Sequence, residues 1–486
     1  MASIEELREE RIKKLNILKE RGVNPYPAHT NRSIFVSDFF EAFSTLEKNQ
    51  KEEVISGRLM SLRKHGGSVF ADIYDGTGKL QLYLKSDEIS EDDFTLFDEV
   101  VDIGDFVEVS GVAVVTRTGQ ESLLVKSWRM LSKSLRPLPE KFHGLQDEEE
   151  RLRKRYLDIL FNKEVHDMVE KRAKFWHATR TFLLNEGFLE VDTPVLETTA
   201  GGADARPFAT HHNALDIDVY LRISAGELWQ KKLMVAGFPK VFEIGRIFRN
   251  EGMSAEHLQD YTQMEFYWGY ADYKMGMDLV KEMYRFIAEE TIGTQKFTVG
   301  EFEIDLSKEW ELYDYTDTIM EKTGIDILKA DLKDMEKKLQ ELKVEYDKEG
   351  FNKERATDML WKYCRKQITG PGFLVGVPKS MTPLAKEDST RPGYSEQFQP
   401  IVAGSEVGRG YSELNDPIDQ AERFTKQQAM RDAGDEEAQM YDEDFVEALE
   451  YGMPPTCGYG MSERFFSFLM NKPIRETQIF PLMRPK

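Results

Sequence analysis

The sequence predicts an α+β chain in two parts: a small five-stranded β-barrel, then a larger domain in which helices flank an antiparallel sheet. Three observations predict it. Short β-rich runs follow one another from Val54 to about Leu131, separated mostly by glycine and aspartate turns. Beyond Arg155, helical and strand-like patterns mix without the regular alternation of a parallel doubly wound sheet. Between the two lies a proline-stiffened connector, Arg136-Pro137-Leu138-Pro139.

Taken in order, residues 1–50 form a helical extension. Ile4, Leu7, Leu15 and Leu18 fall near one helical face among dense Glu, Lys and Arg, and Gly22, Pro25 and Pro27 stop the helix. Such a helix packs on a neighbour, or also touches RNA through Arg11, Lys13, Lys14 and Lys19. Residues 51–135 hold the runs VISGRLM, SVFADIYD, KLQLYL, FVEVSGVAVV and SLLVKSW, with turns at Gly66-Gly67 and Asp75-Gly76-Thr77-Gly78. Five such strands make a barrel of the oligonucleotide-binding (OB) type, whose strand face meets unstacked bases through aromatic and polar side chains. Arg63, Phe70 and Gln81 are placed on that face, with barrel core as the equal alternative for Phe70.

The linker is set at 136–155 and the larger domain at 156–486, with a helix expected around 163–186 and strands at DVYLRIS, KVFEIGRIF and YTQMEFYWGY. Residues 317–370 read as an inserted helical lobe without chemistry, since Leu332, Met335, Leu339 and Leu342 recur at helical spacing between charges.

The chain has 486 residues, enough for two or three cores. No apolar run approaches the roughly 18 residues of a membrane span, and MASIEELREERIKK has no secretory character, so a cytoplasmic location is expected. Cys364 and Cys457 stand far apart with no CxxC or Cys/His cluster, which suggests neither a disulfide framework nor a zinc site. A net charge of −22 argues against a general nucleic-acid coat and confines any RNA contact to local basic patches.

Neither GxxxxGK[ST] nor a strand-flanked GxGxxG occurs. A nucleotide would need another scaffold, and Val241–Tyr270 offers one: two strand-like runs around a polar loop, with Arg249, Glu251, His257, Tyr261, Glu265 and Tyr267 along them. A guanidinium forks onto two oxygens of a phosphate or carboxylate, and Tyr261 offers a flat face for a base. Singly, each residue has the plainer explanation of a sheet aromatic or a structural ion pair.

Gly187-Phe188-Leu189-Glu190-Val191-Asp192-Thr193-Pro194 resembles motif one of the class II aminoacyl-tRNA synthetases, and Phe248-Arg249-Asn250-Glu251 through Glu265 resembles motif two. Arg464, in CGYGMSERFFSF, stands where motif three has its arginine. KFHGLQDEEERLRKRYLD, GGADARPFATHHNALDIDVYLRIS, YSELNDPIDQ and PIRETQIFPLMRP are similar to the lysyl members of the class.

The resemblance implies ATP-dependent activation of L-lysine and its transfer to tRNA(Lys), by a homodimer joined at motif one. For lysine it implies Glu227 at the α-amino group, Arg249 at the carboxylate, and Glu413 and Tyr267 at the ε-ammonium, with Gly202 and Glu265 also in the lysine site. For ATP it implies adenine on Tyr261, the triphosphate near Arg249, His257 and Arg464, Mg2+ on Glu406, and Glu251 also in the ATP site. Arg249 and Arg464 are the catalytic pair, and Phe70, Gln81 and Arg63 read the anticodon.

Departures from the family pattern cluster here. Gln399 replaces a magnesium-binding carboxylate, Arg409 an asparagine, and Glu256 a basic residue; motif three is one residue short, and SAGEL around Glu227 one long. A related ligase for another amino acid or acceptor, and a tRNA-binding protein without catalysis, are the alternative readings.

Overall fold

The computed structural model describes residues 3–139, 147–252, 254–346 and 351–485. The chain forms two compact units, Met1–Gln146 and Asp147–Lys486. Part of the expected linker, including the whole stretch KFHGLQ, lies outside the described residues.

In the first unit, α1 (Ile4–Glu20) starts at a capping box: Ser3 Oγ accepts from Glu6 N (3.1 Å), and Glu6 Oε2 accepts from Ser3 N (2.6 Å). Only the second half of its expected apolar face is buried, at Leu15 and Leu18; Ile4 and Leu7 are exposed. Three of the four cations in the RNA reading of this helix have protein partners, Lys13 through a solvent-exposed pair with Glu10. Arg11 is bound to Ser134 Oγ and to the carbonyls of Ile103, Ser134 and Arg136, and Lys14 pairs with Asp102 at 2.6 Å.

The barrel consists of β1 (Glu52–His65), β2 (Ser68–Tyr74), β3 (Lys79–Lys85), then a helix α2 (Glu91–Val100), β4 (Phe106–Val115) and β5 (Glu121–Ser132). It is closed in the order β1-β2-β3-β5-β4, with β3 and β5 parallel. Period-two alternation sends Val69, Ala71, Leu80, Leu82 and Leu84 inward and leaves Phe70, Gln81 and Tyr83 half-buried on the outer face. Phe70 is therefore not barrel core. The sequence reading missed α2, although Ser90 caps it and Phe97 and Val100 bury its inner face.

The second unit runs through α3 (Lys163–Asn185), β6 (Leu189–Glu190), α4 (Glu227–Val235), β7 (Lys240–Phe248), β8 (Asp260–Gly269), α5 (Tyr273–Ile292) and β9 (Glu311–Asp314). The lobe follows as α6 (Tyr315–Thr323), α7 (Leu332–Glu341) and α8 (Lys353–Arg365). After it come β10 (Gly372–Val375), β11 (Gln397–Val402), β12 (Gly408–Ser412), α9 (Pro417–Asp432), α10 (Glu443–Glu450) and β13 (Thr456–Ser462). The main sheet has the order β9-β10-β11-β12-β13-β8-β7-β6, with Ser405–Glu406 returning along β11. Its interior pairings are antiparallel, and the pairs at its two ends, β9 with β10 and β7 with β6, are parallel.

The pleat decides where chemistry goes. Along β8, Met264 and Phe266 enter the core with Phe175 of α3 and Tyr284 of α5, while Tyr261, Gln263, Glu265 and Tyr267 face a cavity on the other side. Antiparallel neighbours repeat the pattern: Gly458 and Gly460 of β13 reach the cavity, as do Arg409 and Tyr411 of β12 and Glu413 just beyond it.

Candidate active site

The cavity has a volume of ≈ 330 Å³ and is lined by Gly202, Glu227, Arg249, Tyr261, Glu265, Tyr267, Gln399, Glu406, Arg409, Glu413 and Arg464, among others. Residues more than 250 positions apart in sequence are thus gathered on one sheet face. Two expected residues do not line it. His257 stands behind Arg464, with its Nε2 2.8 Å from a guanidinium nitrogen, and Glu251 is exposed.

One end of the cavity is acidic. Glu265 is held by Ala225 N (2.8 Å), by Gln263 Nε2 (2.6 Å) and by the Tyr267 hydroxyl (3.2 Å). The long SAGEL turn supplies that Ala225 N–H. Burial, and then the neighbouring Glu227, push the Glu265 carboxyl up to about 7. Burial pushes Glu413 up to about 8 against the opposing pull of an ammonium beside it.

That ammonium belongs to Lys231, which sequence reasoning missed. It lies one helical turn from Glu227 on α4, with Nζ 2.7 Å from Glu227 Oε1 and 2.6 Å from Glu413 Oε2, and it is 1% exposed. The signal was present: the spacing in Glu227-Leu-Trp-Gln-Lys231 is i,i+4, which sets the two side chains on one helical face. The Tyr411 hydroxyl donates to Glu227 Oε1 at 2.6 Å and completes the cluster.

Two glycines make room for these acids. A Cβ on Gly458 would sit 2.0 Å from Glu413 Oε1, and one on Gly202, whose φ is +85°, would sit 2.7 Å from Glu227 Cβ.

The other end is cationic. Arg249 donates through Nε to Ile223 O (3.2 Å), and its guanidinium lies 5.9 Å from the centre of the Tyr261 ring. Arg464 is fixed by three contacts: Glu406 O (2.8 Å), Glu256 O (3.3 Å) and the His257 ring. Partial burial first, and Arg464 second, lower the pKa of His257, so its neutral ring accepts at Nε2 while Nδ1 meets Ser254 Oγ at 2.8 Å. Glu256, the acid in a position expected to be basic, takes the Ser405 hydroxyl and lies 3.7 Å from Arg464 Nε.

Between the ends, Glu406 Oε1 accepts from Trp361 Nε1 at 2.6 Å. Trp361 is on α8 of the inserted lobe, so the lobe, in which the sequence reading places no chemistry, contributes a hydrogen-bond donor to a cavity carboxylate. Gln399 settles with its amide nitrogen toward Glu406 Oε1 (3.3 Å) and its oxygen toward Gln397 Nε2 (2.7 Å) and Arg409 Nε (3.3 Å).

On the barrel, strand register aligns Arg63 with Phe70 and Phe70 with Tyr83, while Gln81 faces Asp72. Phe70 and Tyr83 stack with ring centres 4.6 Å apart and planes 4° from parallel. Gln81 Oε1 accepts from Ser122 Oγ at 3.0 Å. Tyr83 was not expected from the sequence, though it lies two residues from Gln81 and so on the same face.

Residues 147–484 match the model of tRNA synthetases class II (D, K and N), and residues 54–131 match the OB-fold nucleic acid binding domain. Curated relatives align along almost the whole chain. A lysine–tRNA ligase of Thermosipho africanus is 42% identical over 99% of this chain and 97% of its own length. The lysine–tRNA ligases of Thermotoga maritima and Clostridium acetobutylicum are 41% and 42% identical, over 99% and 100% of this chain and 97% and 95% of their own lengths. The chain belongs to the class II tRNA synthetases of the D, K and N group.

Proposed function

We propose that this chain is a lysine–tRNA ligase: it activates L-lysine with ATP to the lysyl-adenylate and transfers the lysyl group to the 3′ end of tRNA(Lys). The observation that carries the reading is the polarity of the cavity, acidic where Glu227, Glu265 and Glu413 meet and cationic at Arg249 and Arg464. Lysine needs acids for two ammonium groups and a cation for its carboxylate. An aspartate or asparagine side chain directed at Glu413 would meet repulsion or an unpaired charge, which is the kind of site that discriminates without editing.

In this reading Glu227 and Gly202 receive the α-amino group, Arg249 the carboxylate, and Glu413 with Tyr267 the ε-ammonium, with Glu265 held beside them. Adenine rests on Tyr261. The lysine carboxylate oxygen attacks the α-phosphorus in line, the bond to the bridging oxygen breaks, and pyrophosphate leaves. No protein nucleophile takes part. Arg249 and Arg464 stabilise charge as it develops, and the prior fixing of Arg464 by two carbonyls and His257 reduces the reorganisation required. Glu251 and His257 act on ATP from outside the cavity wall, His257 through Arg464. A hydroxyl of the tRNA 3′ end then attacks the carbonyl carbon and AMP leaves.

The donors present fit Mg2+: the Glu406 carboxylate would hold it, oxygen being the ligand this hard cation takes. Mg2+ bound there would neutralise phosphate charge in the reaction. Gln399 offers only a neutral amide there, a poorer partner for a hard cation than a carboxylate.

The outer barrel face supports anticodon binding, with Phe70 stacking a base beside Gln81 and Arg63. The exposed apolar residues Leu189 in motif one and Val195 and Leu196 just after it support a homodimer. Among the described residues no helix is long and apolar enough to cross a membrane, and partnership with tRNA favours the cytoplasm. The test is charging of tRNA(Lys) transcript with radiolabelled lysine. ATP-dependent lysylation is expected; charging of tRNA with aspartate or asparagine instead would replace this reading with that of a sister enzyme.

A further inference from the structure

Glu227, Glu265 and Glu413 meet at one end of the cavity, all at most 5% exposed. Lysine brings two ammonium groups, and its carboxylate is matched by Arg249. With all three acids ionised, two substrate cations leave one negative charge over, and burial together with this crowding already pushes Glu265 and Glu413 toward their protonated forms, so an unpaired buried charge here is strongly unfavourable. Lys231 is the cation that balances the count. Its stem is enclosed by α4, and the Tyr411, Phe445 and Tyr267 rings lie 5.5, 5.8 and 6.0 Å from Nζ.

We propose that Lys231 is the resident counter-ion of the amino-acid pocket: its ammonium bridges Glu227 and Glu413, holds them in register, and sets the pocket to neutralise a substrate with two ammonium groups. The inference rests on the lysine reading above. Glu413 supports it. Lys231 Nζ lies 2.6 Å from Oε2 and pulls the Glu413 pKa down against burial, while Oε1 is buried with no hydrogen-bond donor among the described residues. Glu413 thus keeps one oxygen for a second ammonium.

Other groups facing the cluster do not supply the missing cation. From β8 come Glu265 and Tyr267, from β12 Tyr411, and from β13 Cys457, all neutral or anionic. From α10 comes only the Phe445 ring. The guanidinium groups of Arg249 and Arg409 act on Glu265 and Tyr411 through charge without an ion pair to Glu227 or Glu413 among the described residues. Lys231 is a positioning residue that acts through Glu227 and Glu413.

Removal of a cation beside carboxylates raises their affinity for protons, and a protonated acid no longer pairs with a substrate ammonium. The experiment is lysine-dependent ATP–pyrophosphate exchange by the full chain from pH 6 to 9.5, for wild type, Lys231→Met and Lys231→Arg. KM for lysine should fall as pH rises in all three. In Lys231→Met, which keeps length and removes charge, the midpoint of that fall should move up by about one pH unit or more, with kcat changing less than KM; in Lys231→Arg it should stay. Should Lys231→Met not fold, Lys231→Gln provides a second neutral side chain for the same comparison. A neutral variant with an unmoved midpoint, its KM raised equally at every pH or unchanged, would reduce Lys231 to a packing residue. No exchange with lysine in the wild-type chain would overturn the lysine reading as well.

Discussion

Gly458→Ala tests how tightly the acidic end is built. The new Cβ would lie 2.0 Å from Glu413 Oε1 and 2.7 Å from Tyr267 Cε1, against an ordinary contact near ~3.5 Å. Glu413 must therefore retreat by ~1.5 Å. It is 1% exposed and backed by Lys231, so the displacement is resisted by packed neighbours, and overpacking of this kind costs ~1–3 kcal/mol of stability. A shift of that size turns a hydrogen bond to the substrate ε-ammonium into a non-bonded contact. A bond to a charged group is worth ~1.5–3 kcal/mol, so kcat/KM for lysine should fall ~10–150-fold. Pyrophosphate exchange at saturating ATP with varied lysine measures this, and a thermal melt checks the fold. A loss below ~3-fold in a protein that melts like wild type would refute the placement of Glu413 on the substrate.

Three further outcomes follow from named contacts. Glu197 is 7% exposed, its Oε1 accepts from Trp229 Nε1 at 2.9 Å, and burial pushes its pKa up to about 7. The folded chain then binds more protons at this site than the unfolded chain between about 4.5 and 7, so the contribution of Glu197 to stability falls as pH rises through that window. Glu197→Gln should melt above wild type at pH 8 and no higher at pH 5; an equal difference at both would point to packing instead. Trp361→Phe removes the donor on Glu406 and should raise the ATP KM ~3–10-fold, in line with ~1 kcal/mol for one hydrogen bond, while the lysine KM stays put. Phe70→Ala should raise the tRNA KM by ~5–150-fold, the equivalent of ~1–3 kcal/mol of stacking, and leave exchange without tRNA unchanged; loss of exchange would mean the substitution disturbs more than the barrel face.

Local pattern carried much of the architecture. Alternating apolar residues defined the barrel strands, and KVFEIGRIF, a short run rich in apolar residues, matches β7 from end to end. Arg249, Tyr261 and Glu265 of motif two lie on or just beyond two adjacent strands, so their meeting at one cavity was legible, while Glu251 and His257 fall outside it. Three features were not. α2 is ten residues of mixed polarity between strands, too short for its buried face to stand out. Trp361 reads as a core aromatic of the lobe and becomes a donor to Glu406 only through the tertiary approach of α8 to the Ser405–Glu406 return. Lys231 looks like one of a pair of surface lysines in WQKKLM; its partner Glu413 is 182 positions away and arrives from just beyond β12.

The same distinction explains the departures in the motifs. Sequence registers Gln399 as a lost ligand and Glu256 as a reversed charge, but only the fold shows what they hold. Gln399 ties Glu406 to Arg409, and Glu256 ties Ser405 beside Arg464. Each substitution has a partner in the site, as expected for buried polar groups whose hydrogen bonds must be satisfied.

The most direct test of the central claim is amino-acid-dependent ATP–pyrophosphate exchange by the purified chain with Mg2+, comparing lysine, ornithine, arginine, aspartate and asparagine. The acidic pocket predicts exchange with lysine, weak exchange with ornithine, whose ammonium stops one methylene short of Glu413, and none with aspartate or asparagine. Exchange driven by aspartate or asparagine, or by no amino acid in a folded protein, would contradict the account.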